Sequence, residues 1–168
     1  MRTCVQVLKE KLIILNYEYG SWDFVAPDAE SISQFGRTEC TAYYHAKGWK
    51  KVWSLLNSLL HFALNFPIVL GAFWRSKRLI ILGMDVMDGH YGLFSVLHKI
   101  VLAYVAAFLG VQVDIINCSF NTHPSRIVVF ALRNLPKKVC IVAREPASHA
   151  RMTKFLSRSI PLAADITF

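Results

Sequence analysis

The chain has 168 residues, of which 54% are hydrophobic and 18% charged, with a formal net charge of +8. That length allows one domain with a sizeable core, and the apolar content excludes a disordered chain. The four cysteines (Cys4, Cys40, Cys118 and Cys140) form no CxxC pair, which argues against a zinc knuckle; read as reduced thiols, they favour the cytoplasm.

Taken in chain order, the amino terminus interrupts its apolar residues with Lys9, Glu10 and Lys11, so no cleaved secretory leader is predicted. An Ile-rich run at 11–16 reads as a strand. Residues 17–48, with Ser21, Asp23, Pro27 and Asp28, are polar and turn-rich and show no clear period. Residues 40–84 then carry six Lys/Arg and no Asp or Glu. Such a segment suits an anionic substrate, an acidic membrane surface or a solvated basic face. Nucleic acid is not expected as a partner, because Trp49, Trp53, Phe62 and Phe66 recur at the helical spacing of core residues.

The 23 residues 52–74 hold no formal charge, enough in length to cross a bilayer. Lys50, Ser54, Asn57, Ser58, His61 and Asn65 nevertheless fall three or four apart, which predicts a buried amphipathic helix with one polar stripe. Pro67 is expected to break that helix, leaving 68–74 too short to span alone. Between a span and a peripheral contact flanked by Lys50, Lys51, Arg75 and Arg78, the pattern favours the peripheral contact.

Further strands are predicted at 78–82, 111–117 and 138–143, with a shorter one at 163–168. Helical patterns alternate with them: 93–109 ended by Gly110, 124–134 opened by Pro124, and 146–157 opened by Pro146. Alternation of this kind predicts a parallel α/β sheet with helices on both faces. Ligands of such sheets bind beyond the carboxyl ends of the strands. Three loops, 83–92 (GMDVMDGHYG), 117–123 (NCSFNTH) and 143–148 (AREPAS), are therefore expected to converge on one rim, with helix N-termini aimed at it.

The first loop offers the densest chemistry. Gly83, Gly89 and Gly92 permit tight turns and close approach to a ligand, although neither a GxGxxG fingerprint nor a Gly-Lys-Ser/Thr phosphate loop is present. Asp85 and Asp88 are candidates to orient sugar hydroxyls or act as general base, against the plainer role of fixing a turn, for which Asp88 before Gly89 is the better placed. His90 can shuttle a proton or donate to an anion, and with His98 it makes no recognised metal spacing, so no metal is predicted. Asn117, Ser119, Asn121 and His123 carry donors and acceptors that serve either a ligand or a local turn. Arg144 suits a phosphate or carboxylate, or pairs with its neighbour Glu145. No GxSxG elbow, Ser/His/Asp triad or catalytic cysteine signature is visible.

The order GMDVMDGHYG, IINCSFN, VAREPAS and a terminal AADITF, over about residues 78–168, resembles the polysaccharide pyruvyl transferase family. Its members carry a Gly-rich loop of the GGD…DG.YG kind, an SFN strand end, an RD..S strand end and a late AD..F. Met84 stands where the family usually has a second glycine, and Glu145 where it has an aspartate. The resemblance implies transfer of pyruvate from phosphoenolpyruvate, the donor substrate, to a sugar of a polysaccharide or cell-surface glycan as a ketal, with no further cofactor. It implies a Rossmann-like lobe of a glycosyltransferase-B-like two-lobe architecture. Substrate would be bound by Gly83, Asp85, Asp88, Gly89, His90, Tyr91, Ser119, Asn121 and Arg144. On this reading 1–168 is a single lobe, incomplete at its carboxyl end, with 1–77 poorly assigned and 78–168 family-like. Expected partners are a sugar or polysaccharide acceptor, a second lobe or a second copy, and a peripheral membrane contact. The alternatives are a non-catalytic binding module, membrane-peripheral in character, and the lobe of a nucleotide-sugar glycosyltransferase.

Overall fold

The computed structural model describes residues 13–16, 30–33, 48–84, 87–89 and 93–163. The chain falls into two compact units, Met1–Arg75 and Ser76–Phe168. The division lies close to residue 78, where the motif-bearing segment begins.

In the first unit, β1 (Ile13–Asn16) pairs in parallel with β2 (Glu30–Ser33), from Ile13 opposite Glu30 to Asn16 opposite Ser33. The strand β2 lies in the stretch that showed no period: its sequence, ESIS, holds one apolar residue and gives no alternation to detect. The helix α1 (Trp49–Arg75) runs for 27 residues straight through Pro67. The expected break does not occur. Proline removes one i→i−4 hydrogen bond, and the helix formers on either side keep the remaining ladder. A second departure concerns burial. Val69, Ala72 and Phe73 are buried, but Trp49, Trp53, Leu56, Leu60, Leu64 and Trp74 are all more than half exposed. The predicted buried amphipathic helix therefore keeps its broad apolar face open.

The second unit is a small parallel β-sheet flanked by α-helices, an α/β fold. Its elements are β3 (Arg78–Met84), α2 (Leu93–Phe108), β4 (Gln112–Cys118), α3 (Arg126–Arg133), β5 (Cys140–Ala143) and α4 (Pro146–Leu156). The sheet order is β3-β4-β5, all parallel. Beyond β5, Leu162 bridges Ala143 in parallel, supported by the Ala143 amide donating to Pro161 O at 2.9 Å and the Ala163 amide to Ala143 O at 3.0 Å. Of the expected last strand, 163–168, only Ala163 is among the described residues.

Alternation along the strands sets the core. Ile81, Val113, Ile115, Ile141 and Ala143 are buried, while Ile80, Leu82, Ile116 and Val142 between them are partly exposed. On the buried side α2 packs on β3 and β4, α4 packs on β5, and α3 touches both helices. Their inward residues, among them Val96, Ile100, Val128, Leu132, Met152 and Leu156, complete the core. Gly110 ends α2 with φ +86°, where the Gly110 amide returns to Ala107 O and that of Val111 to Ala106 O. Because the three strands are parallel, the loops that follow them all lie at one edge of the sheet.

Candidate functional site

The loops after β3, β4 and β5 meet at that edge, and the hydrogen bonds between them are explicit. Asp88, 1% exposed, accepts from the Asn121 amide through Oδ2 at 3.1 Å, and its carbonyl accepts from the Ser125 amide at 2.9 Å. It ties the first loop to the second. Gly89, at φ +80°, turns the chain directly afterwards, and a Cβ there would stand 3.0 Å from Val128 Cγ2 and 3.1 Å from Ser125 Cβ. Gly83 is also a packing requirement: a Cβ would press on Cys118 Sγ and lie 2.9 Å from Met87 Cγ. The close approach that this glycine permits is to the neighbouring strand.

The second and third loops are joined by a hydroxyl–carboxylate cluster. Glu145 Oε1 accepts from Ser148 Oγ at 2.6 Å and from Ser119 Oγ at 2.9 Å. Ser148, fully buried, accepts in turn from the Phe120 amide at 2.9 Å. Arg151 Nη1 donates to Phe120 O at 2.9 Å, and the Arg144 amide to Cys118 O at 3.1 Å. The hydroxyls of Ser148 and then Ser119, hydrogen-bonded to its charged form, hold the Glu145 carboxyl below the usual carboxylate range. This cluster opens α4: Glu145 occupies the cap position, Pro146 follows, and the side chain that Glu145 engages is three residues on. Ser148 and Arg151 were not among the sequence candidates. The only trace of Ser148 was the three-residue spacing in EPAS, and Arg151 reads as an ordinary helix-surface charge.

Asn117 is the unusual member. Between Ile115 and Cys118 the register of β4 against β5 shifts, a bulge, and Asn117 there takes φ +59°. Its side chain is 5% exposed, and its Oδ1 is buried with no hydrogen-bond partner. Asparagine tolerates left-handed backbone better than most residues, whereas an unsatisfied buried acceptor costs about 1–3 kcal/mol. That cost and the left-handed turn fall on one residue at the carboxyl end of the middle strand.

Of the sequence candidates, the edge brings together Gly83, Asp88, Gly89, Ser119, Asn121 and Arg144. Asp85, His90, Tyr91 and Gly92 lie outside the described residues. His123 is exposed, its Nδ1 2.9 Å from Thr122 Oγ1. His98 lies away on α2, where burial and then the Lys99 ammonium lower its pKa to about 4. Cys118 and Cys140 are free thiols, and burial pushes Cys118 up to about 12. Among the described residues no group of three or more His, Cys, Asp or Glu side chains is placed to hold a metal ion, and no helix is long and apolar enough to cross a membrane. A shallow groove of about 210 Å³ follows α3 between Pro124 and Phe155, along the flank of the unit.

The edge can therefore do two things chemically: present backbone and hydroxyl groups to a polar ligand, and place arginine near it. No family model, no curated protein and no solved structure matches this chain.

Proposed function

We propose that the second unit is the acceptor-binding lobe of a polysaccharide pyruvyl transferase-like protein, Rossmann-like and one half of a glycosyltransferase-B-like pair of lobes. In this reading the edge aligns two hydroxyls of a glycan sugar through Asn117, Ser119 and Asn121, with Asp85, His90 and Tyr91 of the first loop completing the set. Pyruvate passes from phosphoenolpyruvate to those hydroxyls as a cyclic ketal, and phosphate leaves. Arg144 balances the charge of the donor.

One observation carries the reading: Asn117 Oδ1, a buried acceptor without a partner at the bulged end of β4. An acceptor in that position is satisfied by a hydroxyl donor, which a sugar has in abundance and a bare anion lacks. The non-catalytic alternative draws on a different observation. The Asp88 and Glu145 carboxylates both accept hydrogen bonds from the protein itself, which suits bracing better than proton transfer.

Saturation-transfer NMR with neutral hexoses, with phosphoenolpyruvate and with a uridine diphosphate sugar tests the reading. A hexose signal weakened at least tenfold by Asn117→Gly and Ser119→Ala is expected. Glycine keeps the positive φ at 117, so the fold survives while the acceptor is lost. With a matching second lobe supplied, phosphate released from phosphoenolpyruvate only when the sugar is present identifies the enzyme, and sugar binding without release identifies the binding module. Binding of the uridine nucleotide alone refutes both in favour of a glycosyltransferase lobe.

A further inference from the structure

The open face of α1 is a continuous surface. At about 100° per residue, Trp49, Trp53, Leu56, Leu60 and Trp74 project within about 60° of one another along seven turns of helix. Their exposures run from 53% at Leu56 to 79% at Trp74. The three tryptophans alone, at roughly 200 Å² each when fully bare, leave on the order of 450 Å² in water, and Leu56, Leu60 and Leu64 extend the stripe. Soluble monomers rarely carry an apolar patch of that size without a use for it.

We propose that this face of α1 lies in the plane of an anionic lipid surface, with its leucines and tryptophans together at the boundary between headgroups and acyl chains. Three features select the occupant. The first is charge: residues 40–84 hold six Lys/Arg and no acidic residue, so the helix and its flanks carry the sign that anionic lipid attracts. The second is placement. Lys47, Lys50 and Lys51 precede the apolar stretch and Arg75, Lys77 and Arg78 follow it, while tryptophan marks each end, the arrangement of a helix anchored at an interface. The third is composition, because Asn57 and Asn65 sit among the apolar residues of a helix that is not apolar enough to cross.

A second copy of the chain fits the same face less well, since pairing would bring two segments of six positive charges together with no carboxylate between them. Nucleic acid fits less well again. The middle 23 residues offer no cation for phosphates, and leucine alternates with the rings where a base-stacking platform would need polar reach.

The test is flotation of the full chain with vesicles of phosphatidylcholine alone and of phosphatidylcholine with 30% phosphatidylglycerol, at low and high salt. Binding at least tenfold stronger to the anionic vesicles, weakened several-fold by salt, is expected. Trp53→Glu with Leu60→Glu should abolish it while leaving the circular dichroism unchanged, because both side chains are exposed and support no core. Brominated lipids should quench the wild-type tryptophan fluorescence, a readout independent of any variant. Equal binding to both vesicle types, or no quenching, overturns the proposal. So does a stable dimer in sedimentation equilibrium that the double variant dissociates, which would assign the face to a second copy.

Discussion

Acidification should destabilise the second unit through one residue on α2. His98 is 5% exposed, and burial, aided by the neighbouring Lys99 ammonium, lowers its pKa from 6.5 to about 4. Unfolding returns the imidazole to water, where it binds a proton near pH 6.5. The folded pKa is depressed, so the stability tied to neutral His98 is complete above pH 6.5 and is lost as pH falls toward 4. At pH 5 the unfolded chain holds nearly a whole proton there and the folded chain about a tenth of one. The difference amounts to about 2 kcal/mol relative to pH 7.5. Replacing His98 by leucine removes the titration and keeps an apolar side chain of similar reach. Urea unfolding of the wild type and of His98→Leu at pH 7.5 and pH 5 measures it, by linear extrapolation at each pH. The wild type should lose about 2 kcal/mol more than the variant between the two pH values. Equal losses would mean that the folded chain protonates His98 as readily as water does, and the burial argument would fail.

Two further perturbations address the edge of the sheet. Gly83→Ala places a Cβ against Cys118 Sγ, 2.9 Å from Met87 Cγ and 3.3 Å from Cys118 Cα, so it should cost about 1–3 kcal/mol of overpacking; an unchanged melting temperature would show that β3 and β4 can spread at no cost. Ser148→Ala strips the Phe120 amide of its acceptor and Glu145 of its closest donor, for about 1–3 kcal/mol. The same variant should raise the Glu145 pKa toward the ordinary carboxylate value, read by carbon-13 NMR titration. Because the folded pKa of Glu145 is lowered, the stability it contributes is present above the unfolded carboxylate pKa and fades as pH falls below it, and Ser148→Ala should shrink that loss.

The sheet of the second unit was legible because each strand is a run of Ile and Val long enough to stand out: LIIL, VQVDIIN and VCIVA, with proline or glycine marking the helices between. The meeting of the three loops followed from parallel topology alone. What the sequence hid depends on contacts. Periodicity in α1 reveals that an apolar face exists, and nothing in 49–75 says whether protein covers it. Pro67 has a strong local preference that a long helix overrode. Gly83 invited a ligand-based explanation when its neighbour is Cys118, 35 residues later in the chain. The Asn117 bulge arises from a register shift between β4 and β5, a property of two strands that neither one encodes by itself. The Glu145–Ser148–Ser119 cluster joins residues 26 apart, and only its short-range half had any local signature.

The close seating of Gly83 over Cys118 makes that thiol a built-in clock. Its sulfur is enclosed, and with a pKa near 12 almost none of it is thiolate at neutral pH, so alkylating reagents find it inert while β3 and β4 are paired. Reaction must wait for the strand ends to part. The rate at which Cys118 is labelled therefore counts the openings of this edge, with partly exposed Cys140, one strand away, as the internal reference. A molecule that seats itself on the bulged end of β4 would slow that clock without ever touching the sulfur, and a ligand could be recognised by the delay alone.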